Sequence, residues 1–226
     1  MQIEYRDLGT MEYEACWKLQ QELFDATLAR KAAHLTSESA GELLLVEHPP
    51  VYTLGKSGKS ENLLVTEQYL ASLGASFFHI DRGGDVTFHG PGQLVGYPIL
   101  DLEMIGIGLR DYIHCLEEAA IRTVGHYGIE AGRSEGASGV WLDAGTTRMR
   151  KICAIGVRSS RFVTMHGFGL NVNTDLGWFE KINPCGFRDR GVTSIQRETG
   201  REISMDEVKD LMTNHLSELL NVKIYK

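Results

Sequence analysis

Cysteine is scarce and scattered in this chain. Cys16, Cys115, Cys153 and Cys185 are the four among 226 residues. None forms a Cys-x-x-Cys pair, so neither a zinc knuckle nor a disulfide framework is indicated, no metal is expected, and each is read as a reduced thiol. No apolar run approaches the roughly 20 residues that span a bilayer, so no membrane partner is expected. The amino terminus, Met-Gln-Ile-Glu-Tyr-Arg-Asp, carries acid where a secretory signal carries base, and the expected location is cytoplasmic. Basic residues are in deficit, 23 Lys and Arg against 30 Asp and Glu, which argues against nucleic acid as a partner. Repeats, linkers and low-complexity segments are also missing, and residues 1–226 read as a single domain.

One local absence runs the other way. No Asp or Glu stands between Ala144 and Thr174, whereas Arg148, Arg150, Lys151, Arg158 and Arg161 do. That segment reads either as a docking surface for an acidic partner or as ordinary solvated cations. Three nucleotide or hydrolase motifs fail. The run from Gly55 to Ser60, Gly-Lys-Ser-Gly-Lys-Ser, lacks the first glycine of a phosphate loop, because position 53 is Thr53. Gly132-Arg-Ser-Glu-Gly136 spells a nucleophile elbow without a buried strand before it or a helix after it. No Gly-x-Gly pair extends to the dinucleotide fingerprint.

Helices are predicted over residues 11–34, from Tyr13, Trp17, Phe24 and Leu28, and over 109–124, from Leu109, Tyr112, Ile113, Leu116, Ala120 and Val124. A short helix over 66–73 has Thr66 as its cap and Gly74 as its stop. A last helix starts at the capping box Ser204-Met-Asp-Glu207. Strands are predicted over 42–47, 76–80, 139–142, 151–157 and 162–172, the last three joined by short turns. The expected fold is α/β of the α+β type, a central mixed, largely antiparallel sheet flanked by helices.

Residues 82–98, Arg-Gly-Gly-Asp-Val-Thr-Phe-His-Gly-Pro-Gly-Gln-Leu-Val-Gly-Tyr-Pro, are the most informative stretch. Gly83-Gly84 and Gly90-Pro91-Gly92 are loop chemistry, while Val86-Thr87-Phe88 and residues 93–97 have strand composition. The reading is a strand pair whose loops turn backbone N–H groups, Arg82 and His89 toward a ligand. Further on, Cys185 lies between Pro184 and Gly186, on a loop where a nearby cation would activate it. Lys151 opens an apolar strand and is a candidate for that cation. Period two puts Cys153 on the same face as Lys151, roughly 7 Å away, and leaves it a rival nucleophile. Residues 166–172, His-Gly-Phe-Gly-Leu-Asn-Val, read as a second glycine-rich turn that offers N–H groups to an oxyanion, or as a bulge.

Taken together, residues 82–98, Gly139-Val-Trp141, Lys151-Ile-Cys-Ala-Ile-Gly156, His166-Gly-Phe-Gly-Leu-Asn171, Phe179 and Pro184-Cys-Gly186 resemble the lipoyl(octanoyl) transferases, which share a fold with biotin and lipoate protein ligases. The resemblance implies transfer of an octanoyl or lipoyl group from acyl carrier protein to a lysine of lipoyl domains. The acceptors it implies are those of 2-oxoacid dehydrogenase complexes and the glycine cleavage H protein. It assigns the nucleophile, a thioester carrier, to Cys185 and its activating partner to Lys151. It places Arg82, Gly83, Gly84, Asp85, Val86, Thr87, Phe88 and His89, then Ala154, Ile155 and Gly156, then Gly167, Phe168 and Gly169, around the acyl site. No ATP, metal or other cofactor is implied, because a thioester already drives the transfer. Phe88 where Tyr is common, Gly169 where Ala is common, Cys153 within the lysine strand and a slightly long 143–150 connection depart from the family pattern. Competing readings are an ATP-dependent lipoate or biotin ligase, a non-catalytic acyl-binding module and a cysteine hydrolase.

Overall fold

The computed structural model describes residues 1–183 and 191–225. Strand β1 (Gln2–Thr10) leads into helix α1 (Tyr13–Ala32), which returns the chain to β2 (Ser39–Glu47). β1 and β2 run parallel, as a helical crossover requires. Then come β3 (Val51–Leu54), α2 (Glu67–Ser72), β4 (Ser76–His79), β5 (Val86–His89), β6 (Gln93–Leu100), α3 (Leu102–Ile105) and α4 (Leu109–Gly125). β7 (Gly132–Ser134), β8 (Ala137–Leu142), β9 (Arg150–Ser160) and β10 (Val163–Asn171) form an antiparallel meander. The chain closes with β11 (Gly191–Val192), α5 (Ile195–Thr199), α6 (Met205–Leu220) and β12 (Lys223–Tyr225).

A nine-stranded sheet has the order β12-β1-β2-β6-β10-β9-β8-β7, with β11 beside β9, and a small sheet has the order β4-β3-β5. The large sheet is mixed and mostly antiparallel, as the sequence leads one to expect. Its central strands are buried on both faces and therefore read as continuous apolar runs. In β2, Leu43 and Leu45 face the cluster under α4 and α6, while Leu44 and Val46 face the cluster under α1. Tyr52, Phe88 and Leu70 centre a third cluster between the small sheet and α2.

The caps form as predicted with one change. Thr66 accepts from the Tyr69 N–H, Gly74 takes φ +75°, and Ser204 accepts from the Glu207 N–H. The Glu207 carboxylate receives the Tyr127 hydroxyl at 3.1 Å.

Three expectations are corrected. β5 and β6 do not pair with each other. β5 pairs β3 in the small sheet, β6 lies between β2 and β10, and the Gly90-Pro91-Gly92 turn carries the chain from one sheet to the other. Gly92 makes that turn possible: its φ is +77°, and a Cβ there would stand 2.6 Å from the Asn173 carbonyl carbon. Residues 166–171 are neither turn nor bulge but part of the buried central strand β10, in unbroken register with β9. Their glycines serve close strand approach, since a Cβ on Gly167 would sit 2.2 Å from the Gly96 carbonyl oxygen. Finally, a register shift between β8 and β9 sets Val140 opposite Cys153 but Trp141 opposite Lys151. The extra residue in β9 breaks the alternation that would have put Cys153 beside Lys151.

Candidate active site

A cavity opens where the small sheet meets β9 and β10 of the large one. Its walls include Arg82, Gly84, Asp85, Val86, Thr87 and His89 from the first glycine-rich block. Lys151, Ala154, Ile155 and Gly156 come from β9, and Gly167, Phe168 and Gly169 from β10. Two of the predicted lining residues lie off it. Gly83 docks its loop onto β9 by donating its N–H to the Val157 carbonyl at 3.0 Å. Phe88 turns into the small-sheet core, where its ring stacks on Trp178 at 5.3 Å. Cys185, with Pro184 and Gly186, lies outside the described residues; Phe179, earlier in the chain, and Gly191 and Val192, later in it, line the cavity, while residues 180–183 do not.

The mouth and the closed end differ chemically. At the mouth, Lys151 stands in register with Val192 of β11 on one side and Trp141 of β8 on the other. Its ammonium nitrogen lies 4.4 Å from the Trp141 ring centre. At the closed end, Tyr13, Arg82, His89, Tyr97 and His166 are all buried. Arg82 donates to the Thr53 carbonyl and hydroxyl at 2.9 and 3.0 Å and to the Gly83 carbonyl. It packs over Gly156, where a Cβ would come 3.1 Å from its Cδ.

The histidines here are held neutral by burial. His89 is pushed down to about 3 and His48, behind it, to about 4. The Gln93 amide N–H donates to Asn171 Oδ1 at 2.8 Å, so its oxygen faces His89 Nδ1 at 2.6 Å. Nδ1 of His89 therefore carries the proton. Tyr13 stacks parallel to His89 at 6.3 Å, and His48 bridges the Met11 carbonyl and the Tyr97 hydroxyl at 2.7 and 2.9 Å. Asp85 braces its own loop, accepting from the Val86 N–H at 2.7 Å and from the Asn62 amide.

Cys153 is fully buried and does not line the cavity; burial pushes its thiol up to about 12. It is a packing residue and a poor source of thiolate. The phosphate-loop look-alike is spent on structure: the Lys56 and Ser57 N–H groups donate to the Arg82 and Gly84 carbonyls at 3.0 and 3.2 Å. Ser134 of the elbow look-alike sits in the β7–β8 hairpin. In the basic segment, Arg150 grips Glu198 with two 2.7 Å bonds and Arg158 pairs with Asp81, while Arg148 and Arg161 stay exposed. Among the described residues no cluster of metal-ligating side chains occurs and no helix is long and apolar enough to cross a membrane.

Sequence reasoning missed Tyr13, Gln93, Tyr97 and Asn171 as lining residues. Tyr13 reads from the sequence as one position of a helical stripe. The buried face of α1 in fact runs through Tyr13, Cys16, Gln20, Phe24 and Thr27, with Gln20 and Thr27 polar, and that mixture was the available signal.

A mixed sheet of this order with a cavity against β9 and β10 matches the lipoate protein ligase fold. A bipartite lipoate protein ligase from Thermoplasma acidophilum superimposes with a TM-score of 0.72 at 18% identity, over 100% of this chain and 86% of that one. A lipoate-protein ligase A solved with ATP gives 0.71 at 16% identity, over 100% and 88%. At that identity the likeness is one of fold. The family model for the lipoyl protein ligase A/B catalytic domain matches residues 12–217, and the chain belongs to that family. It is 54% identical over 217 residues to an octanoyltransferase of Bacteroides thetaiotaomicron, covering 96% of this chain and 95% of the relative. It is 52% identical over 227 residues to an octanoyltransferase of Flavobacterium johnsoniae, covering 98% of each.

Proposed function

We propose that this chain moves an octanoyl group from acyl carrier protein onto a lysine of lipoyl domains by way of a thioester on Cys185. The chain is an acyltransferase of protein lipoylation, as its full-length kinship with octanoyltransferases supports; the route and the residues are the proposal. The single observation that carries it is Lys151 on the wall of a cavity that Phe179, Gly191 and Val192, before and after Cys185 in the sequence, also line.

Lys151, as the neutral amine, takes the Cys185 proton, and the thiolate attacks the donor thioester carbonyl. Carrier thiol leaves with the proton that Lys151 hands back, and octanoyl remains on Cys185. The acceptor lysine amine then attacks that carbonyl; an amide forms, Lys151 passes the amine proton to the departing sulfur, and the Cys185 thiol is released. Thioester to amide is downhill, so no nucleotide enters. Arg82, Gly84, Asp85, Val86, Thr87 and His89 hold the chain from one side, and Ala154, Ile155, Gly156, Gly167, Phe168 and Gly169 from the other. Gly83 and Phe88 support this wall from behind. Lipoyl domains of 2-oxoacid dehydrogenases and the glycine cleavage H protein are the proposed acceptors.

The test is the intact mass of the protein after mixing with octanoyl-acyl carrier protein without ATP. An octanoyl adduct that maps to Cys185 and disappears on addition of a lipoyl domain is expected. Acylation that appears only with ATP and free octanoate would make the protein a ligase instead.

A further inference from the structure

Among the described residues of the cavity wall, His166 alone combines a strained conformation with a buried side-chain nitrogen that has no hydrogen-bond partner. It lies in the middle of β10 with φ +61°, a left-handed conformation that a non-glycine residue in a strand adopts at a cost. Its side chain is 2% exposed and borders the cavity. Nε2 lies 2.9 Å from Asp81 Oδ1, and the other oxygen of Asp81 is taken by Arg158. Asp81 is held below the usual carboxylate range by that hydrogen bond from His166, so it is an acceptor, and Nε2 carries the proton. Nδ1 is therefore a lone-pair acceptor. Among the described residues nothing donates to it. The strained backbone is fixed from behind, where the His166 N–H donates to Gln20 of α1 at 3.3 Å.

His166 stands opposite Val157 of β9, six residues along that strand from Lys151, or roughly 20 Å. An extended eight-carbon chain reaches roughly 9 Å from carbonyl to methyl, well within that span. An eight-carbon chain whose carbonyl reacts near Lys151 thus ends short of His166. The space beyond its methyl end borders an acceptor to which no described residue donates.

We propose that His166 sets the acyl-chain length: its Nδ1 binds a water molecule behind the methyl end of an eight-carbon chain, and longer chains must displace that water. Asp81 is the positioning residue that fixes the tautomer. The inference rests on the reading of the cavity as the acyl site and adds to it a polar floor. A longer chain strands the acceptor, whereas a terminal hydroxyl on an eight-carbon chain replaces the water and keeps the bond.

The experiment compares kcat/KM for octanoyl-, decanoyl- and 8-hydroxyoctanoyl-acyl carrier protein, with a lipoyl domain as acceptor. In the wild-type protein the hydroxylated chain is expected within about tenfold of octanoyl, where a dry apolar end would reject it more strongly. In His166→Asn, which tolerates positive φ but is shorter, the octanoyl-over-decanoyl ratio is expected to fall at least about fivefold. A hydroxyl penalty above about tenfold in the wild type, or an unchanged chain-length ratio in a folded His166→Asn, overturns the proposal. Wild-type protein that transfers none of the three chains overturns the acyl-site reading itself, and the chain-length role with it. The wild-type comparison decides the matter even where the variant does not fold.

Discussion

The Lys151 Nζ lies 4.4 Å from the centre of the Trp141 indole ring, and the two residues face each other across the β8–β9 ladder. The ring gives the flexible lysine a fixed place at the cavity mouth. Removing the amine with Lys151→Ala should lower octanoyl transfer by about a hundredfold or more, the ordinary contribution of a positioned base. Trp141→Leu removes the ring and with it the contact to Lys151, a change of about fivefold in transfer, and leaves a cavity where the buried indole stood. Single-turnover transfer from octanoyl-acyl carrier protein reads both. A Lys151→Ala protein with wild-type turnover would remove that lysine from the mechanism.

Glycines in β6 and β10 are predicted to be structural rather than ligand-binding in their first effect. A Cβ on Gly96 would lie 2.2 Å from the Phe168 ring, and one on Gly167 would lie 2.2 Å from the Gly96 carbonyl oxygen. Alanine at either position should cost about 2 kcal/mol or more through forced displacement of two paired strands. Gly125, at the end of α4, has open space and no positive φ, and Gly125→Ala should be neutral or stabilising by up to about 1 kcal/mol. Urea midpoints for the three variants test the contrast, which fails if Gly96→Ala and Gly125→Ala unfold together.

These glycines also show what the sequence makes legible and what it hides. Gly90-Pro91-Gly92 is readable as a turn because its chemistry is local. Whether Gly167 and Gly169 make a turn or let two strands touch depends on Gly96 and Gln93, more than seventy residues earlier. The same holds for pairing: β5 and β6 are adjacent in sequence and chemically alike, yet their partners β3 and β10 are set by packing across the molecule. The Cys153 position fails for a different reason, since strict alternation assumes a regular ladder and one extra residue in β9 cancels it. β1 and β3 are short or partly polar and have no periodic stripe to announce them. Most of the cavity wall was legible because its residues lie in contiguous motifs. Tyr13 and Tyr97 were not, because each reaches the cavity from an element whose pattern is that of ordinary core.

Acid should destabilise the protein earlier than carboxylate protonation alone explains. Unfolded, His48 and His89 titrate near the ordinary 6.5; folded, burial holds them down to about 4 and about 3. Between these limits the unfolded chain binds more protons, so stability falls as pH drops from about 6.5, by up to about 1.4 kcal/mol per pH unit for each histidine. Asp81 and Glu198 have depressed folded values, and their contribution is lost at still lower pH. The urea midpoint should therefore be clearly lower at pH 5 than at pH 7.5. His48→Gln, while less stable at pH 7.5, should show a shallower decline. A wild-type midpoint that does not move over this range contradicts the burial argument.

Arg148 and Arg150 are two residues apart, and the structure separates their roles. Arg150 is clamped by Glu198 through two 2.7 Å bonds and by Asp143 at 2.5 Å, with its side chain 26% exposed. Arg148 is exposed. Arg150→Ala leaves Glu198 without its cation where α5 meets β9, and should lower stability by about 1 to 3 kcal/mol with little change in the salt dependence of transfer. Arg148→Glu should leave the melting temperature unchanged, because surface substitutions of this kind stay within about 0.5 kcal/mol. If an acidic carrier or lipoyl domain docks on this face, Arg148→Glu should instead raise KM at low salt, and the difference from wild type should shrink as added salt screens it. Melting curves and salt-dependent KM values on the two variants separate the two effects. Equal salt responses in Arg148→Glu and wild type would leave this face without a docking role, and an unchanged melting temperature in Arg150→Ala would show that the clamp contributes nothing measurable.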